Sequence, residues 1–120
     1  MANIRMSRIN GELQKAIAEI VANKLNNPEF DGLIISIVDV DTSSDLSIAK
    51  VAVSVLTNDT TKNMVVAQLN HAKNFIKREV MRVVRLRAIP DLVFYVDDSY
   101  EKGRNLLNLI EKVSSENKGE

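Results

Sequence analysis

The side chains best placed to do chemistry are cations crowded into one stretch. Lys73, Lys77, Arg78, Arg82, Arg85 and Arg87 fall within residues 73–87, against a single acid, Glu79. The rest of the chain holds ten bases and fifteen acids, so a net charge of zero hides a polar distribution. On a helix Lys73, Lys77, Arg78, Arg82 and Arg85 occupy the half away from an apolar stripe of Val65, Leu69, Ala72, Ile76, Val80 and Val83, spaced by three and four residues. A solubilising face normally mixes signs, and this one does not. Local field rather than net charge decides where a polyanion lands, so the segment reads as a phosphate- or RNA-binding surface. It is expected to face solvent, so that changes at Lys77, Arg78 and Arg82 leave stability alone.

Other chemistries lack their parts. There is no cysteine, which removes disulfides, thiolate metal sites and cysteine nucleophiles. The one histidine, His71, follows the apolar stripe and has no Gly-x-Ser-x-Gly turn to serve. The glycines Gly11, Gly32, Gly103 and Gly119 are too scattered for a phosphate-cradling loop. Asp97-Asp98 suits a helix cap, and Asp39, Asp41 and Asp45 flank a turn. A metal-dependent hydrolase on Asp39, Asp41 and Asp97 is the weakest reading. Aromatic residues are few, and only Tyr95 would stand on an open sheet face. That favours backbone and shape recognition over base stacking.

These side chains must be held by a single domain of 120 residues. A first helix is expected from about Arg5 to Leu25, ended by Asn26-Asn27-Pro28. Strands are expected over Leu33–Val40 and Ser47–Leu56, joined by a loop of about five residues. Asn58 onward caps a long helix that, on periodicity alone, runs unbroken to about Leu86. Leu92–Val96 is a third strand, and Asp97-Asp98-Ser99 opens a last helix with Leu106, Leu107, Ile110 and Val113 on one face. The class is α+β, with helices over one face of a three-stranded sheet. Leu13, Ile17, Val51, Val53, Leu69, Ile76, Val80, Phe94, Leu107 and Ile110 are expected in the core. No apolar run predicts a signal peptide or membrane span, which points to the cytoplasm.

The residues resemble a known family, the ribosome-binding factor A proteins. The resemblance is carried by Arg5, Arg8 and Glu12, by Asn27-Pro28-Glu29, and by Val40 through Val51 with its Asp45-Leu46 and Ala49. It continues in Ala72-Lys73-Asn74-Phe75-Ile76-Lys77-Arg78-Glu79, Arg85 through Phe94, and Asp97-Asp98-Ser99. The order and spacing of these segments, from about Arg5 to Val113, are the specific feature.

The resemblance implies a type II KH-like fold over residues 1–113, with a polar tail at 114–120. It implies a helix–kink–helix in place of the unbroken helix, at Ala72-Lys73-Asn74, where the family has Ala-x-Gly. Asparagine tolerates left-handed backbone, so the break is expected within two residues of Asn74. The implied function is binding of the free small ribosomal subunit, assistance to late maturation of its RNA near the 5′ end, and support of growth in the cold. RNA contact is carried over to Lys73, Asn74, Lys77, Arg78, Arg82, Arg85 and Arg87, with Arg5 and Arg8 in second rank. No catalysis, cofactor, metal, small-molecule substrate or membrane is implied, and a monomer is expected. The competing reading is a protein–protein adaptor that touches no RNA.

Overall fold

The first apolar stripe builds helix α1, Ile4–Asn23, which buries Ile9, Leu13, Ala16, Ile17, Ile20 and Val21. The structure, a computed structural model, describes residues 4–97. The expected last helix and the tail at 114–120 lie outside them, as do Leu107 and Ile110. After α1 a short 3₁₀ turn, Pro28–Phe30, is capped by the Asn27 side chain, which accepts the Glu29 N–H at 2.9 Å. Gly32 then takes a φ of 79°, the left-handed backbone that glycine adopts without strain.

Strands β1 (Ile35–Thr42) and β2 (Ile48–Val55) form an antiparallel hairpin across a five-residue loop. The Asp45 carboxylate organises that loop, accepting from the hydroxyls of Ser43 and Ser47 and from the Ser47 N–H. Those bonds hold its carboxyl below the ordinary carboxylate range. Leu46 completes the turn at a φ of 63° while its side chain packs against the core. β1 carries a bulge between Ile37 and Asp39. The extra residue resets the pleat, so Ile35 and Ile37 face inward before it and Val40 and Thr42 after it.

Helix α2, Asp59–His71, starts at Asn58, whose side chain accepts the Thr61 N–H at 2.8 Å. Helix α3, Lys73–Val83, follows, and β3, Asp91–Val96, returns parallel to β2. The sheet order is β1-β2-β3. Among the described residues the helices cover one face of the sheet, and these elements form a type II KH-like α+β fold. All eight described members of the expected core are buried, at 2% exposure or less.

Helix amides close the sheet's outer edges. Asn70 on α2 donates to the Phe94 carbonyl at 2.9 Å and accepts the Phe94 N–H at 2.8 Å. On the other side, Asn10 accepts the Thr42 N–H and Gln14 donates to the Ile37 carbonyl, both at 3.1 Å. Backbone groups on an open edge invite further strands, and these side chains occupy them.

Candidate nucleic-acid interface

The basic segment is built in three pieces rather than one helix. α2 and α3 meet at Ala72, whose φ of −92° and ψ of 6° lie in the bridge region. The break therefore falls within two residues of Asn74, but Asn74 itself sits in the first turn of α3 and is not left-handed. Ala72 accommodates the bend because bridge geometry is open to any L-residue, so no glycine is required. The Ala72 N–H reaches back to the carbonyls of Gln68 and Leu69 and closes α2. α3 starts with no side-chain cap, which leaves the first N–H groups beside Lys73 and Asn74 for other acceptors.

The helix ends at Val83, three residues short of the expected Leu86. Val84 is extended, with φ −109° and ψ 124°, and buried. Beyond it Leu86 is half-buried against the core while Arg85 and Arg87 are exposed. On a helix, Arg85 and Arg87 would point to nearly opposite sides. Off the helix they flank the half-buried Leu86, and both are exposed.

The cations do not form one uniform face. Lys73, Arg78, Arg85 and Arg87 are exposed and make no ion pair with a described residue. Asn74 is exposed beside Lys73. Lys77 is tied to Asp91 at the start of β3, Nζ to carboxylate oxygen at 2.7 Å, and is only partly exposed. That bond and the adjacent charge hold the Asp91 carboxyl below the ordinary carboxylate range. Arg82 lies 3.4 Å from Glu79 one turn earlier. The expectation that Lys77 and Arg82 face solvent holds for Arg82, which is exposed though near Glu79, and is corrected for Lys77. Lys77 fastens α3 to β3, and a glutamate there would face Asp91. Glu79 was in view as the segment's one acid, whereas Asp91 lies fourteen residues from Lys77 and its pairing was hard to see in sequence.

Helices α1 and α3 run antiparallel along a groove. One end is lined by Asn23, Lys24, Glu79 and Arg82, the other by Glu12, Lys15, Val83 and Arg85. Arg85 thus reaches the N-terminal half of α1, where Arg8 pairs with Glu12 at 3.6 Å. Arg5 and Arg8 are both exposed on that half. Lys15, absent from the sequence-based set, joins this end; its place on the exposed side of α1 was the available signal. Among the described residues no group of three His, Asp or Glu side chains could hold a metal, and no helix is long and apolar enough to cross a membrane.

The ribosome-binding factor A family model matches residues 5–110. A ribosome-binding factor A of Acetivibrio thermocellus is 39% identical over 115 residues, covering 96% of this chain and 93% of the relative. The solution structure of a ribosome binding factor A from Thermotoga maritima superposes with a TM-score of 0.66 at 25% identity, covering 79% of this chain and 89% of that one. A Thermus thermophilus ribosome binding factor A model, fitted into a cryo-electron microscopy map of a 30S complex, gives 0.61 at 24% identity, covering 74% and 91%.

Proposed function

The chain belongs to the ribosome-binding factor A family, and on that premise we propose that it binds the free small ribosomal subunit through ribosomal RNA. It is a ribosome-binding factor and not an enzyme. Its work is in late maturation of the small-subunit RNA near the 5′ end, which supports growth in the cold. It acts in the cytoplasm as a monomer, with residues 1–113 as the RNA-binding unit and 114–120 as a polar tail.

The observation that carries this reading is the ridge of exposed cations without ion-pair partners among the described residues: Lys73, Arg78, Arg85 and Arg87. Cations already paired must break a contact to meet a phosphate, whereas these need not. The uncapped start of α3 adds backbone donors beside Lys73 and Asn74. Arg5, Lys15 and the Glu12-paired Arg8 add exposed cations on α1. Lys77 and Arg82 remain contacts of lower weight, since Asp91 and Glu79 compete for them. The Thermus relative placed in a 30S complex supports the choice of partner.

Chemical footprinting of small-subunit RNA with and without the protein tests the reading. Protection is expected in one compact region and should vanish when Arg78, Arg85 and Arg87 are changed to Gln. Identical footprints with the folded variant would contradict it.

A further inference from the structure

The sheet face opposite the helices has a chemistry of its own. Register places Asp41, Lys50 and Val93 in one row across the three strands, and Asp39, Ala52 and Tyr95 in the next. Ile48 stands across from Asp91 at the rim. Ile48 is 37% exposed, Val93 37%, Tyr95 43% and Val38, in the bulge, 41%. Between them Ala52 is 1% exposed, so a small residue floors the middle of the face. Asp41, Ile48, Lys50, Val93 and Tyr95 line a shallow depression of about 560 Å³.

This face is apolar in the middle and acidic on the β1 side. Burial, together with the charges of Asp39, Asp97 and Asp41, pushes the Tyr95 phenol up. By register Asp39 shares the row of the exposed Tyr95 ring, and Asp41 stands in the row beside it. Asp39 and Asp41 repel phosphate, and among the residues lining the depression Lys50 is the one cation, so RNA is the wrong ligand here. A second copy of the chain would set the same carboxylates against each other in a two-fold contact. What fits is the opposite sign carried on a protein. Apolar contact in the middle with charge complementarity at the margin is the usual anatomy of a protein interface.

We propose that the open sheet face is a second docking surface, and that its occupant is a Lys- or Arg-bearing segment of a small-subunit protein that also carries aliphatic side chains. Its location on the small subunit rests on the RNA-binding reading above. The aliphatic groups lie over Ile48, Val93 and Tyr95, and the cations face Asp39 and Asp41. The molecule then holds RNA with one face and protein with the other.

Photo-crosslinking on purified small subunits tests this. A benzophenone amino acid is placed at Val93 in one sample and at Arg78 in another. The expected result is a protein adduct from Val93, through a Lys- or Arg-rich peptide, and an RNA adduct from Arg78. Asp39→Asn with Asp41→Asn, checked for an unchanged melt, should cut the protein adduct by about tenfold and spare the RNA adduct. RNA adducts or none from Val93, with RNA adducts from Arg78, overturn the sheet-face proposal alone. An adduct from Val93 to residues 98–120 of the same chain, or to a second copy, also overturns it. Silence at both positions overturns small-subunit binding itself, and this proposal with it.

Discussion

Asn70 makes two hydrogen bonds with one residue, Phe94, from a helix to an edge strand. Asn70→Leu removes both and leaves a partly buried N–H and C=O with nothing in exchange. Each such loss costs about 1–3 kcal/mol, so urea unfolding should show a destabilisation of roughly 2–4 kcal/mol. A change under half a kcal/mol would mean that water replaces the amide. At Asn74 the helical placement sets the sign of a glycine substitution. Asn74→Gly should destabilise by a few tenths to about 1 kcal/mol, since glycine loses most entropy in a helix. A stabilised variant would mean that Asn74 is left-handed after all. Asp91 and Asp45 both titrate below the ordinary carboxylate range. Their stabilisation is present above the unfolded value near 4 and is lost as pH falls through their folded values. The melting temperature should therefore hold between about pH 7 and 5 and drop below about 4. Lys77→Met should flatten the Asp91 share of that drop.

The elements divide into those that periodicity makes plain and those that tertiary contact decides. Phe94 on β3 is 2% exposed beneath the helices, and Phe94→Ala should cost about 3–5 kcal/mol in denaturant unfolding. A loss below 1 kcal/mol would place it outside the core. Leu92–Val96 is apolar throughout and its inward face was settled by the structure, with Leu92 and Phe94 buried, whereas on β2 the inward set Ala49, Val51, Val53 and Val55 was legible from alternation. The hairpin loop and the Asn58 cap were legible for the same local reason: their side chains bond nearby backbone. The bulge in β1 was not, since one extra residue in a β-branched run leaves no mark of its own. Nor was the break at Ala72, because Val65, Leu69, Ile76 and Val80 keep helical spacing across it. The family resemblance supplied the break within two residues of Asn74, and the structure places it at Ala72. Likewise the basic segment was legible as charge, but its division was not. Pairing of Lys77 with Asp91 depends on where β3 lands, and the exposure of both Arg85 and Arg87 depends on the helix ending at Val83.

At the scale of the molecule, charge is sorted by face. Exposed cations without an ion pair to a described residue lie on α3 and the connection after it, Arg5 and the Glu12-paired Arg8 lie on α1, and Asp39 and Asp41 lie across the sheet. A field of that shape orients the protein as it approaches a polyanion, with α3 leading. The central claim is that this ridge meets ribosomal RNA phosphates. The most direct measurement is the salt dependence of binding to purified small subunits, for the wild-type chain and for Arg78→Gln, Arg85→Gln and Arg87→Gln combined. These three are exposed and free of ion pairs to the described residues, so the melt should stay within about 0.5 kcal/mol of wild type. Each lost phosphate contact releases fewer counterions, so the log-affinity against log-salt slope should flatten by roughly two to three units. An unchanged slope with full affinity, in a variant that melts like wild type, would contradict the account and leave the sheet face as the site that holds the subunit.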